Sequence, residues 1–200
     1  MSPSVRASLL LLGSLLVGAT ADAQSAQRWS VQGSGLVVTA QGSAYEGLGT
    51  GVGAEAQARY TPSQFSIGVG LQGSSHAVTA TGLNDERVTL SGLFVEPRRI
   101  FDSGSDAWAP YVAARAAVLQ QRLTVDQFTG TATGVQLNGG GGVLFRLNPR
   151  ANLDVGATYG IINFADVEIS GSGIGTQRIE GSSGTGRNLV LRVGLSYGLR

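Results

Sequence analysis

The segment LFRLNPRANLDVGATYG, residues 144–160, alternates apolar and polar side chains on both sides of a short Asn-Pro-Arg turn. Successive side chains of a β-strand point to opposite faces, so each arm of the segment predicts a strand with one apolar and one polar face. The short connection predicts that the two strands pair as an antiparallel hairpin. Any fold of this chain must therefore offer one sheet both an apolar and a polar environment.

The same alternation predicts eight strands along the chain. The second is the clearest, because Val52, Ala54 and Ala56 share one face while Glu55 and Arg59 share the other. The 31 glycines, the absence of cysteine and the 14% of charged residues suit extended segments joined by tight turns, without disulfides. The predicted strands cover 29–40, 50–60, 65–74, 88–101, 108–123, 135–147, 152–162 and 188–200.

The lengths of the connections alternate as well. Short turns follow the second, fourth and sixth predicted strands, so all of them lie at one end of an up-and-down meander. Short turns at one end and long loops at the other are typical of transmembrane barrels, whose short turns are periplasmic. The long loops are predicted at 41–49, 75–87, 124–134 and 163–187.

Aromatic residues favour a membrane barrel over a soluble one. Alternation alone fits a soluble barrel with an apolar cavity equally well, and rings can also cap a soluble core. Seven rings, however, fall at the short-turn end, and amphipathic rings favour the membrane interface. This predicted girdle consists of Trp29, Tyr60, Phe65, Phe101, Trp108, Phe145 and Tyr197.

Charged residues are predicted to fill the inside of this barrel. An eight-stranded interior is about wide enough for side chains alone, so inward charges must pair and plug the lumen instead of lining a channel. A β-bulge near Gly92 is expected to shift the register of the fourth strand. The predicted lumen network is Glu55, Arg59, Glu96, Arg98, Arg115, Arg146, Asp154 and Arg192.

The first residues predict export. Arg6 precedes an apolar run from Leu9 to Val17, and Ala21 and Ala23 supply the small residues of a cleavage site. The run is too short to span a membrane as a helix. We predict a signal peptide over 1–23 and a barrel domain over 24–200, the alternative being a buried N-terminal helix.

Three phrases carry a resemblance to a known family: FVEPRRIF at 94–101, APYVAARAAV at 109–118 and RVGLSYGL at 192–199. They resemble the small eight-stranded outer-membrane barrels typified by the outer-membrane protein A barrel and the opacity-like, porin-fold adhesins. The resemblance implies a bacterial outer-membrane location, contact with lipid, and recognition of the last strand by the barrel-assembly machinery. The chain departs from that family's signal by ending on Arg200 instead of an aromatic residue. The implied assembly signal is Arg192, Gly194, Tyr197 and Leu199.

No catalytic, cofactor-binding or metal-ligating residue is predicted. Barrel deacylases that act on lipid A use a His-x-Ser pair, but the residue two positions after His76 is Val78, and the adjacent Ser75 points to the opposite face. Gly139 to Gly142 lacks the features of a phosphate loop. All basic residues are arginine and the net charge is +1, so nucleic acid is not an expected partner.

Two functions are compatible with this barrel. One is a non-enzymatic barrel that displays its loops for adhesion or envelope integrity, toward a host or surface ligand that the sequence does not identify. The alternative is a conduit for small hydrophobic molecules, which requires an apolar funnel at the loop end. The inward faces are interpreted as polar, so display is favoured; a lipid A-modifying enzyme is a remote alternative.

Overall fold

The computed structural model describes residues 27–42, 45, 47–78, 87–125, 128–165, 167–171, 175–179 and 184–199. The predicted signal peptide at 1–23 lies outside these residues and stays a prediction. Within the described ranges, no helix is long and apolar enough to cross a membrane. The strands are β1 (Trp29–Gln41), β2 (Gly51–Tyr60), β3 (Phe65–Ala77), β4 (Arg87–Ile100), β5 (Trp108–Val125), β6 (Phe128–Asn148), β7 (Ala151–Phe164), β8 (Val167–Gly171), β9 (Gly175–Ile179) and β10 (Gly184–Leu199).

Eight of these strands close into an antiparallel barrel. Strands β1 to β7 pair in sequence order, and β10 pairs with both β7 and β1. The β1–β10 ladder runs from Trp29 opposite Leu199 to Gln41 opposite Arg187, so the first and last strands leave no open edge there. Closure pairs the backbone groups that a bilayer could not satisfy. The predicted eight-stranded up-and-down barrel is confirmed.

Alternation separates two chemically different faces of the wall. On β2, the outward Val52 side chain is 64% exposed, whereas the inward Glu55 side chain is 5% exposed. The outward face carries an apolar band, with exposed Val, Leu or Ile side chains on each of the eight barrel strands. Because the period of a strand is two, the polar residues between them enter the lumen.

The turn in the opening segment is stabilised by its own asparagine. The Oδ1 atom of Asn148 accepts hydrogen bonds from the backbone N–H groups of Arg150 and Ala151, each at 2.9 Å. Asparagine favours turns because its side chain can bond the backbone two residues on. We call this end of the barrel the turn end and the opposite end the loop end.

The predicted loop at 124–134 is wrong. Strand β5 continues to Val125 and β6 already begins at Phe128, so this stretch is mostly an extension of one hairpin. The β-branched Thr124, Thr129 and Thr131 suit extended backbone, which explains why strand structure continues through a segment that also contains glycine. Within the predicted loop at 163–187, β8 and β9 form a second hairpin, and β8 pairs with the extended part of β6.

The β-bulge expected near Gly92 is absent from the described ladders. The pairing of β4 with β3 and with β5 keeps one register on both sides of Gly92. A Cβ atom at this position would collide with the carbonyl oxygen of Val118, so glycine serves a close approach between strands. The register shift lies instead in β6, between Arg146 and Asn148.

Candidate functional site

Seven of the eight predicted lumen charges meet inside the turn half of the barrel. Each is at most 5% exposed, and inward positions on β2, β4, β5, β7 and β10 bring them together. The eighth residue, Arg146, is half-buried nearer the turn end, and the ion pairs described below join the other seven. We call the seven the charged plug: Glu55, Arg59, Glu96, Arg98, Arg115, Asp154 and Arg192.

Glu96 is the centre of the plug. Its two carboxylate oxygens contact four guanidinium groups that come from β2, β4, β5 and β10. The N···O distances are 2.9 Å to Arg59, 2.6 Å to Arg98, 2.6 Å to Arg115 and 3.0 Å to Arg192. One buried carboxylate therefore ties half of the barrel strands to one point.

The other two acids extend the plug across the lumen. Glu55 accepts from Arg115 at 2.7 Å and from Arg192 at 3.2 Å. Asp154 accepts from Arg98 at 2.7 Å and from Gln32 at 2.8 Å. These bonds connect strands that are not neighbours in the sheet, so the plug fixes the cross-section of the barrel as well as filling it.

Tyr111 belongs to the plug, although the sequence did not single it out. Its hydroxyl donates to Asp154 at 2.6 Å and accepts from Arg192 at 2.9 Å. Gly142 and Gly156 make room for it, because a Cβ atom at either position would collide with the tyrosine oxygen. The available signal was its position on the same face of β5 as Arg115, four residues away.

The plug separates two small cavities. The cavity on its loop side measures about 20 Å³ and the one on its turn side about 30 Å³. Spaces of this size hold about one or two water molecules. Among the described side chains, the turn half of the lumen is thus filled by paired charges, the arrangement in which buried ions are tolerated.

The loop half of the lumen contains an apolar cluster beside neutral polar residues such as Gln136, Asn138 and His76, so the interpretation of the inward faces as polar holds only in part for this half. Its strands carry apolar residues on both faces, as with Ile161 outside and Ile162 inside, which hides the inward set in the sequence. Phe94 lies at the boundary between this cluster and the charged plug, because the centroid of its ring is 3.9 Å from the guanidinium carbon of Arg115. We call this cluster the apolar chamber: Tyr45, Leu90, Phe94, Ala117, Leu119, Ala132, Ile162 and Phe164.

Tyr45 closes the chamber from the connection between β1 and β2. It is 3% exposed, and its ring meets Phe164 edge to face at 6.0 Å between centroids. A Cβ atom at Gly186 would collide with the tyrosine ring, so glycine is needed on β10 at this point. Burial raises the pKa of the Tyr45 hydroxyl above its ordinary value, which keeps the phenol neutral.

His76 is fully buried and hydrogen-bonds Ser74, a contact that the sequence analysis missed. Its Nδ1 lies 3.0 Å from the carbonyl oxygen of Gly49, which can only accept, so Nδ1 carries the proton. Nε2, 3.0 Å from Ser74 Oγ, then accepts from the serine. Alternation places residues 74 and 76 on one face, which was the available signal. The contact to Gly49 ties β3 to the connection before β2.

The described residues offer no metal centre. In the ranges that the structure covers, no three His, Cys, Asp or Glu side chains are arranged to hold a metal ion. Both ring nitrogens of His76 already have protein partners, a serine and a backbone carbonyl.

The seven girdle residues lie at the turn end of the wall. Five are exposed on the outer surface and the other two, Tyr60 and Phe65, are partly buried. The rings of Trp29 and Tyr60 lie 4.8 Å apart, and the guanidinium of Arg99 lies 5.2 Å from the ring of Phe65. The five exposed residues are Trp29, Phe101, Trp108, Phe145 and Tyr197.

The implied assembly signal lies on β10 where the barrel closes. Tyr197 and Leu199 face outward, whereas Arg192 and Gly194 face inward. Tyr197 pairs with Val31 of β1, and Gly194 pairs with Ser34. A Cβ atom at Gly194 would collide with the Ser34 hydroxyl, so this position requires glycine.

A comparison with models of protein families identifies the family of this chain. The family model described as outer membrane protein beta-barrel domain matches residues 7–198, so the chain belongs to that family. A comparison with curated protein sequences finds no match.

Among solved structures, the chain is similar to Neisserial surface protein A at 17% identity, with a TM-score of 0.61 over 86% of this chain and 97% of that one. OprG from Pseudomonas aeruginosa is 14% identical, with a TM-score of 0.61 over 88% of this chain and 98% of that one. Ail from Yersinia pestis is 11% identical, with a TM-score of 0.50 over 86% of this chain and 99% of that one. Identities this low show a shared fold alone.

Family and fold together confirm the predicted class. The protein is an eight-stranded transmembrane barrel of the bacterial outer membrane, and its apolar outer band faces lipid.

Proposed function

We propose that this protein is a closed, non-enzymatic barrel that presents its loop-end hairpins at the cell surface for adhesion or envelope integrity. The observation that carries the proposal is the charged plug, in which three buried carboxylates and four arginines cross-link the strands. A lumen filled in this way serves a rigid scaffold better than a pore. His76 and Ser74 are both buried, at 0% and 9% exposure, and this lack of access for a substrate supports a non-enzymatic role.

The hairpin extensions supply the surface for display. β5 and β6 stay paired up to Val125 opposite Phe128, and β8 and β9 extend the same sheet sideways. Their outward face is polar, with exposed Arg122, Thr124 and Glu168. Paired strands hold such a surface in one shape, which lowers the ordering cost of binding.

The ligand class can be narrowed by a relative of the same fold. Ail has been solved in complex with the heparin analogue sucrose octasulfate. A sulfated polysaccharide is therefore the first ligand to test on this chain. We also propose that the barrel-assembly machinery recognises β10 through Tyr197 and Leu199.

Cysteine labelling tests the orientation that this proposal needs, since the chain has no native cysteine. In intact cells, a membrane-impermeant maleimide should label Thr129→Cys in the β5–β6 hairpin and should not label Ser105→Cys in the β4–β5 turn. Lysed cells should label both, which controls for reactivity. Labelling of Ser105→Cys alone in intact cells would place the hairpins in the periplasm and contradict display.

Binding tests the display function directly. Cells that carry the wild-type protein should bind heparin-coated beads more than deletion cells do, and replacing residues 122–131 by a two-residue turn should remove the difference. A matched shortening of the turn at 102–107 should leave binding unchanged. Equal binding by wild-type and deletion cells, together with equal envelope permeability, would reject the proposal.

A conduit for small hydrophobic molecules is the second candidate, and the apolar chamber favours it. A groove of about 300 Å³ continues the apolar surface above the chamber along Leu123, Phe128 and Ile169. If molecules enter there, Tyr45→Ala should speed the uptake of a small apolar dye into cells, whereas Tyr159→Ala on the outer face should not. Unchanged uptake in both variants and in the deletion strain would remove this candidate.

A further inference from the structure

The cavity on the turn side of the plug has an unusual lining. Its volume is about 30 Å³, and two arginines of the plug, Arg59 and Arg98, form part of its wall. Ser30, Thr61 and Ser196 form another part, and Asn152, whose buried Oδ1 has no hydrogen-bond partner among the described residues, also lines the cavity. The wall therefore combines positive charge with small hydrogen-bond donors, which is the chemistry that recognises an anion.

The charges of the plug do not balance. Four buried arginines face three buried carboxylates, which leaves one excess positive charge. Arg59 has the weakest compensation, because its ion pair is with Glu96 alone, whereas Arg98, Arg115 and Arg192 each contact at least two carboxylates. An uncompensated charge in a dry interior is costly, so the excess calls for a counter-ion.

Arg59 and Arg98 also each keep one guanidinium nitrogen without an acceptor in the described part of the chain. Arg59 uses both terminal nitrogens on Ser66, Gln57 and Glu96, which leaves Nε. Arg98 uses Nε and one terminal nitrogen on its two carboxylates, which leaves the other terminal nitrogen. Leaving a buried donor unsatisfied costs about 1–3 kcal/mol, and more for a charged group.

We propose that this cavity binds a small monovalent anion, such as chloride, between Arg59 and Arg98. One bound anion neutralises the excess charge of the plug. A space of about 30 Å³ admits a halide, and gluconate is the comparison anion because it is much larger than chloride. The anion is then a structural part of the plug, independent of what the surface hairpins bind.

Halide binding should stabilise the folded barrel by mass action. Purified protein in a zwitterionic detergent is unfolded with urea, because guanidinium chloride would itself supply chloride. At constant ionic strength, the midpoint in sodium chloride should exceed that in sodium gluconate by about 0.5 M urea or more, and the difference should saturate with chloride. Equal midpoints for the wild-type protein would overturn the proposal.

Two variants localise the effect. Arg59→Gln removes the excess charge and the donor, so its midpoint should no longer depend on chloride. Arg122→Gln, an exposed outward position on β5, should keep the full dependence. A chloride effect retained by a folded Arg59→Gln barrel would place the anion elsewhere and overturn the site.

Anomalous diffraction shows the site directly and does not need a folded variant. Wild-type crystals grown in sodium bromide should show an anomalous peak within hydrogen-bond distance of Arg59 and Arg98. A cavity that contains water without bromide would overturn the assignment.

Discussion

The two halves of the lumen are built from the same strands, but ion pairs fill the turn half, whereas the loop half combines an apolar cluster with neutral hydrogen-bonded residues such as Asn138 and Asn188. The turn half holds directional ion pairs, such as Arg98 to Asp154 at 2.7 Å, between strands on opposite sides of the barrel. The loop half holds the non-directional packing of Phe94, Ile162 and Phe164 beneath Tyr45. Directional bonds between distant strands fix one geometry, whereas apolar packing tolerates rearrangement at lower cost. We therefore infer that the plug seals the barrel and propose that any ligand of the lumen would be accommodated in the chamber.

The largest expected loss of stability follows removal of the central carboxylate. Glu96→Ala leaves four buried guanidinium groups without their shared carboxylate. It should lower the free energy of unfolding by about 3–5 kcal/mol or more. Urea titration in detergent, followed by tryptophan fluorescence, measures the change. Glu168→Ala, at an exposed position on β8, is the matched control and should stay within about 0.5 kcal/mol of wild type. A loss below about 1 kcal/mol for Glu96→Ala would mean that the plug does not hold the barrel together.

The apolar chamber is tested by two adjacent isoleucines on β7. Ile162→Ala leaves a hole in the chamber and should cost about 2–5 kcal/mol. Ile161→Ala removes the same atoms from the outer face, where detergent or lipid fills the space, so its cost should be smaller because no cavity remains. Equal costs, or a larger cost outside, would show that the two faces are assigned the wrong way round.

A smaller effect is expected for a single hydroxyl of the plug. Tyr111→Phe leaves Asp154 and Arg192 each without one partner, which should cost about 1–3 kcal/mol. Tyr159→Phe alters an exposed ring on β7 and should be nearly neutral. If the two variants unfold at the same urea concentration, the Tyr111 hydroxyl does not contribute to the stability of the plug.

The plug was more predictable from sequence than the chamber. Strict alternation places Glu55 and Arg59 opposite an alanine-rich face, so their inward direction follows from period two alone. Tyr111 was missed because an inward tyrosine and an interfacial one look alike in a sequence. The chamber was missed because Ile161 and Ile162 are both apolar, so the sequence pattern does not show which of the two side chains faces lipid and which faces the lumen. Which arginine shares which carboxylate depends on barrel closure, which no local pattern encodes.

The extension of the β5–β6 hairpin shows a different limit of prediction from sequence. The stretch around Thr124 and Thr131 contains both turn-forming glycine and β-branched residues, so local preference does not decide between loop and strand. Pairing with β8 stabilises the strand form of β6 there, and that partner lies more than 30 residues further along the chain.

Planar-bilayer recording of the purified, refolded protein tests the central claim most directly, because the claim is that paired charges close the lumen. The account predicts a quiet baseline without stable conductance steps across a range of voltages, for the wild-type protein and for Tyr45→Ala, since the plug lies below the chamber in both. Reproducible large open-channel steps from wild-type protein would contradict it and would make the lumen a pore.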